Sequence, residues 1–286
     1  MSKAKLLNRN GVGLNLRLRY VDDVLKLRPR VSFFEIIAEN LFADEVNLNK
    51  VIDISKIYPI VLHCVGMNIG GVDLISNAYI EKIRSLCDKL NPILVSDHLC
   101  MQKHGNFHHH DLLPIPLNKE SVANCSARIN SIQNALGREI AVENLSYYVE
   151  FKSSVYDEAE MLSEIVKNTK CKLIVDLNNY EINEKNFGIA FQKQWEFLDP
   201  NSIAEYHIAG GELIDGVWVD THGGLPSERS LNFLKSIDAT NKALVCFERD
   251  QKLPTFQKLM EVRQGIENTI LGETKLDIES RVEIAI

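Results

Sequence analysis

Short apolar runs bounded by turn residues recur at residues 12–16, 32–37, 59–63, 93–96, 140–143, 172–176, 204–208 and 244–248. Runs of this kind predict strands of a parallel sheet, whose two faces are both covered. Apolar residues at helical spacing fill most of the gaps, over 21–27, 80–90, 119–136 and 158–167. Eight strands alternating with helices over about 250 residues predict an α/β fold, a single (β/α)8 TIM-type barrel. The rival open doubly wound sheet loses its usual nucleotide signature, because neither GxGxxG nor GxxxxGK[ST] follows the first run. No Pro/Gly/Ser-rich linker breaks the series. The barrel is therefore assigned to residues 1–250. Residues 251–286 are expected to form a helix (255–268) and an acidic, partly apolar tail that packs on the barrel or on a partner.

A barrel places its chemistry at the carboxyl ends of its strands. The third run ends in His63, the fourth leads into Asp97-His98, the fifth ends in Glu143-Asn144 and the sixth in Asp176-Leu177-Asn178-Asn179. The seventh contains His207 and the eighth ends in Glu248-Arg249-Asp250; the second carries Glu35 and then Glu39-Asn40. Period two puts Ile174, Asp176 and Asn178 on one face and Leu244, Cys246 and Glu248 on one face, while Val175, Val245 and Phe247 turn toward the helices. After the seventh run Asp220-Thr221-His222 adds another acid and imidazole. Buried carboxylates without partners cost several kcal/mol each, roughly. Mixed histidine and carboxylate at one rim reads most simply as a metal site. Four histidines and four acids exceed the needs of one ion and suit a cluster of two or three. Iron or manganese fits such a donor set, and zinc remains open. Taken singly, Asp97 could cap a helix, Asn178 and Asn179 could sit in a turn, and Glu39-Asn40 could close a loop. The run His108-His109-His110, with His104, reads as a solvated loop, and 215–218 as a turn. The joint placement is what points to metal.

The net charge of -7 argues against phosphate-held nucleic acid. No stretch of about 18 apolar residues predicts a membrane span, and the first residues lack a signal-peptide pattern. A cytoplasmic protein is expected. Six cysteines without CxxC spacing are expected to be free thiols, several of them buried. Cys64 and Cys100 read as small apolar residues beside candidate ligands.

Seven blocks in order carry a family resemblance: Phe34-Glu35 to Glu39-Asn40, Leu62-His63, Val95-Ser96-Asp97-His98-Leu99, Asp111-Leu112-Leu113-Pro114, Val142-Glu143-Asn144, Val175-Asp176-Leu177-Asn178-Asn179 and His207-Ile208-Ala209-Gly210. Together they resemble the multinuclear non-haem iron-dependent oxidative enzymes, barrel proteins that modify cysteines of ribosomal precursor peptides. Within that family the chain is similar to the methanobactin-biosynthesis (MbnB-type) branch, with Tyr20 where many relatives place a histidine and Arg249 where many have an aromatic. The resemblance implies two or three iron ions, mixed ferrous and ferric, with O2 as co-substrate. It further implies a cysteine-containing precursor peptide turned to an oxazolone with a neighbouring thioamide, and a companion peptide-binding subunit (MbnC type) in a heterodimer. It assigns His63, His98, Glu143, Asp176, His207, Asp220, His222 and Glu248 as iron ligands and Asp250 as general base. Asp97 and Asn178 would either coordinate or support a ligand. On the residues alone, a redox-neutral divalent-metal barrel enzyme (a sugar isomerase, epimerase or phosphodiesterase) and a non-enzymatic metal carrier stay open.

Overall fold

A computed structural model describes residues 11–272, apart from the side chains of residues 110 and 241. The C-terminal part of the expected tail, residues 273–286, lies outside the described residues.

Twelve strands are formed among the described residues: β1 (Val12–Asn15), β2 (Phe34–Ile37), β3 (Ile60–His63), β4 (Leu94–His98), β5 (Met101–His104), β6 (Phe107–Leu113), β7 (Ala141–Glu143), β8 (Lys172–Asp176), β9 (Ile203–Ile208), β10 (Gly210–Ile214), β11 (Val217–Gly224) and β12 (Leu244–Phe247). Eight of them close a parallel barrel in the order β1-β12-β9-β8-β7-β4-β3-β2. These are the eight runs expected from the sequence. The other four form two antiparallel hairpins, β5-β6 and β10-β11. The first hairpin corrects the reading of the histidine run as a loop: His108, His109 and His110 lie on β6. The expected turn at 215–218 is the bend of the second hairpin, where Asp215 (φ 51°) and Gly216 (φ 85°) both take left-handed backbone, as a two-residue turn of primed type requires.

The helices are α1 (Val21–Leu27), α2 (Glu45–Ile57), α3 (Asn77–Leu90), α4 (Lys119–Leu136), α5 (Glu158–Thr169), α6 (Leu177–Phe187), α7 (Phe191–Phe197), α8 (Glu228–Ser236), α9 (Ala239–Lys242) and α10 (Phe256–Leu271). Local chemistry sets their ends. The Asn118 side chain accepts the Ser121 N–H at the start of α4, and Thr255 does the same for Lys258 at the start of α10. The helix α10 packs against β1: buried Arg263 donates to the Val12 carbonyl at 2.8 Å. None of these helices is long and apolar enough to cross a membrane.

Period-two alternation divides the strand residues between two environments. Phe34, Ile36, Leu62, Val95, Val142, Val175, Val245 and Phe247 join the large core between sheet and helices. Phe33, Val61 and Cys246, with Leu94 and Leu244, form a small apolar floor inside the barrel. The floor fills because β1 yields space. A Cβ on Gly13 would lie 2.3 Å from the Phe33 ring, so only glycine admits that ring. Above this floor the inward positions toward the strand ends are polar, and there the apolar driving force gives way to ionic pairing.

Candidate metal centre

The inward side chains of β3, β4, β7, β8, β9 and the residue after β12 meet above the floor. His63 Nε2 lies 3.3 Å from His98 Nε2, and each of these nitrogens is 3.5 Å from Glu143 Oε2. His207 Nδ1 is 3.4 Å from Glu143 Oε1 and 3.2 Å from Glu248 Oε2. Beside a group of Glu35, Glu205, His207 and Cys246, two further ligand groups meet at the mouth among the described residues, His63-His98-Glu143 and Glu143-Asp176-His207-Glu248; within each of the three, all ligand atoms lie within 4.8 Å of one another. Glu143 belongs to both groups at the mouth. His222 and Asp220, brought in by β11, adjoin the second group: His222 Nε2 is 2.8 Å from Asp220 Oδ1 and its Nδ1 is 3.8 Å from Glu248 Oε2. All eight residues expected as ligands therefore stand at the same barrel mouth. A cavity of about 290 Å3 opens there, lined by His63, His98, Glu143, Asp220, His222, Glu248 and Asp250 among others.

The donor set fits metal. Glu143 Oε2, Asp176 Oδ2, His207 Nδ1 and Glu248 Oε2 are all buried with no hydrogen-bond partner, whereas buried polar atoms are nearly always satisfied. Without an ion, the imidazoles themselves supply the counter-charge. Burial pulls His98 down, yet Glu143 and Asp97 outweigh it and raise the ring to about 9. His222 is likewise opposed by burial but carried to about 10 by Glu248 and Asp220. His207 ends well above its ordinary value beside Glu248, Glu35 and Glu143. Burial would raise Glu143, but His207 and His98 hold it at about 2. His63 goes the other way, lowered chiefly by burial. Asp176 is pushed up by burial and by Glu143 and Asp220, so it shares the crowding.

A bound divalent ion must displace protons from His98, His207 and His222, since only neutral imidazole ligates. The sign follows directly. Raised histidine values stabilise the protonated, metal-free state, and this advantage fades as pH rises toward 9. Apparent metal affinity, measured by chelator competition, should increase steadily between pH 6 and 9, with protons released into weakly buffered solution on metal addition. A flat profile would contradict the imidazolium assignment.

Several further groups support these ligands. Glu35 Oε2 lies 3.1 Å from His207 Nε2, both residues fully buried, so Glu35 fixes which ring nitrogen faces the mouth. Asn15 Nδ2 spans Glu35 Oε1 at 3.5 Å and Glu248 Oε1 at 3.4 Å. Glu205, two residues before His207 and on the same inward face, is buried with neither oxygen hydrogen-bonded, Oε1 lying 4.0 Å from His207 Nε2; burial and then Glu35 push its carboxyl well up. The run Glu205-Tyr206-His207 could have disclosed it, by stepping back two residues from the histidine. Replacing Glu35 by leucine should lower metal affinity about 10–100-fold, while glutamine, which keeps an acceptor, should lose less; equal affinities for wild type and E35L would refute the positioning role.

Asp97 is not a helix cap. It lies within β4, accepts N–H groups of Met67 (2.7 Å) and His98, and stands 3.6 Å from His98 Nδ1, steadying that ring. Asn178 and Asn179 are not turn residues but begin α6, whose N-cap is Asp176. Asn178 donates to Asp220 Oδ1 at 2.6 Å and holds it in place. Glu39 accepts from Val65 N–H and Tyr79 O–H, so it closes a loop. The buried Tyr20 donates to the Pro254 carbonyl at 2.6 Å and packs on Phe256. Asp250 pairs with Arg17, a cation from the end of β1, and its Oδ2 lies 3.3 Å from His222 Nδ1. Arg17 thus brings a cation to the mouth. Arg249 is buried and donates to the Lys252 carbonyl.

Comparison with known proteins bears on this site. Residues 11–270 match the family model described as RiPP precursor modification enzyme MbnB/TglH/ChrH. A UPF0276 protein of Vibrio parahaemolyticus is 33% identical over 216 residues, 74% of this chain and 75% of that one. A UPF0276 protein of Psychromonas ingrahamii is 31% identical over 264 residues, 90% and 93% of the two chains. Solved structures share the barrel. The apo 3-keto-D-glucoside 4-epimerase YcjR of E. coli superposes with a TM-score of 0.59 at 14% identity, covering 90% of this chain and 98% of that one. Endonuclease IV of Thermus thermophilus gives 0.58 at 15% identity, with 92% and 99% covered. At such identities the likeness concerns the fold alone.

Proposed function

Because the chain belongs to the RiPP precursor modification enzyme family MbnB/TglH/ChrH, we propose that it is an iron- and O2-dependent oxidase acting on a cysteine of a precursor peptide. The proposal extends to the methanobactin-type outcome, an oxazolone with a neighbouring thioamide, and to a companion subunit that presents the peptide. The observation that carries the multinuclear reading is Glu143: one carboxylate supplies Oε2 to the His63-His98 side and Oε1 to the His207 side. A carboxylate facing two ligand groups is suited to bridge two ions.

Bound iron would hold the cysteine sulfur as thiolate and pass electrons to dioxygen. The four electrons and four protons lost by the peptide reduce one O2 to two waters. His63, His98, Glu143, Asp176, His207, Asp220, His222 and Glu248 would hold the ions. Asp97, Asn178 and Glu35 brace those ligands through the contacts described above. Asp250, partly exposed on the cavity wall, would accept the backbone amide proton released during ring closure. Arg17 and His222 hold its carboxylate facing the opening, where a peptide can reach it.

The test is aerobic incubation of the iron-loaded protein, with and without a companion subunit, with a Cys-containing precursor peptide. Product four hydrogens lighter and oxygen uptake in step with it support the proposal. An iron-free protein with full turnover, or isomerisation without oxygen consumption, would replace it by the redox-neutral reading.

A further inference from the structure

Beside the metal mouth lies a second cavity, of about 390 Å3, between the segment after β6 and the segment joining β7 to α5. Its walls are apolar stems and rings, including Leu99, Ile115, Leu117, Val149 and Phe151. Its charged lining is of one sign: Glu150, Asp157, Glu158 and Glu160 are present, with no lysine, arginine or histidine among the lining residues. Glu158 is the built element. It is only 4% exposed; Oε1 accepts the Leu145 N–H at 2.9 Å, and Oε2 is buried with no partner. Burial raises its carboxyl to about 8, the mark of an acid that lacks a cation. Leu145 lines both this cavity and the metal mouth. The rim is apolar and open to solvent at Val149, Phe151 and Val155, a surface character associated with docking.

We propose that this cavity is a specificity subsite that takes a lysine or arginine side chain of the precursor peptide, near the cysteine held at the mouth. The inference rests on the peptide reading of the function and adds to it a preference for a basic residue. A long aliphatic stem matches the walls and a cationic head matches the unpartnered Glu158 oxygen, the combination by which lysine and arginine bury their stems while keeping a charge paired. The wall shared at Leu145 favours the substrate over the companion as occupant, because whatever fills one cavity abuts whatever fills the other. Glu150, Asp157 and Glu160 would draw the head in, and Glu158 would receive it.

The experiment uses metal-free full-length protein, so that binding is read apart from turnover. Fluorescent peptides carry a single cysteine, with one lysine walked along either side and norleucine at the same places as control; anisotropy gives each affinity. At one or two positions lysine should bind about tenfold more tightly than norleucine. Glu158→Gln, whose amide oxygen still accepts the Leu145 N–H, should abolish that preference and spare norleucine binding. Glu150→Gln, on an exposed residue that does not threaten folding, should reduce it. Peptides that bind with no lysine preference anywhere would overturn the subsite and leave the peptide reading standing, as would a preference that survives both substitutions. A companion subunit whose binding falls in E150Q while peptide binding does not would reassign the cavity to the partner. Failure of every peptide to bind, to the metal-free protein and equally to the iron-loaded protein with its companion, would remove both readings.

Discussion

Glu143→Ala is expected to lose bound metal and turnover together. Among the described residues Glu143 is the one carboxylate within reach of His63, His98 and His207 at once, at 3.4 to 3.5 Å. Changes to groups that merely support a ligand already cost about 10–100-fold in metal affinity, so loss of a bridging ligand should exceed about 100-fold. Removal also takes from His98 and His207 one of the acids that now raise them. Metal content by elemental analysis, with chelator competition on wild type and variant, reads the effect. His207→Ala should behave alike, since that ring joins Glu143 to Glu248. Either variant binding the wild-type complement of metal would end the assignment of this mouth as the metal centre.

Asp250→Asn separates chemistry from metal binding. Asp250 stands outside both ligand groups yet on the wall of the same cavity. The variant should retain its metal and lose product formation by about 10^2–10^4-fold, the usual contribution of a positioned general base. Asparagine keeps the size of the side chain and can still meet Arg17 and His222, so the fold should be unaffected. Single-turnover assays with peptide and dioxygen read the outcome. Normal product formation by D250N would show that the amide proton leaves by another route. Loss of metal from D250N would make Asp250 a support of the ligands instead.

These two predictions draw on residues of different legibility. Glu143, Asp176 and Glu248 could be picked out because each ends an apolar run, and a charge there has few structural uses. Asp250 follows from the same run but owes its role to the family resemblance, and its contacts with Arg17 and His222 link residues 233 and 28 positions away along the chain. Glu35 appeared in the sequence within the row of strand-end residues, with no partner assigned to it. Its bond to His207 joins two strands through the barrel interior, and no local pattern encodes such a pair. The hairpins escaped because β5-β6 is exposed along much of its length, so neither face carries the alternation that a half-buried strand imprints.

Local sequence alone determined the number of barrel strands, their order along the chain and the side of each that faces inward, because buried strands demand apolar runs with a period of two. It also determined that acids and imidazoles close those strands. Which of them touch, which pair is left without a partner, and that an acidic cavity shares a wall with the mouth were decided only by closure of the sheet. Closure sets distances between residues remote along the chain, and charge interactions in a dry interior depend steeply on those distances.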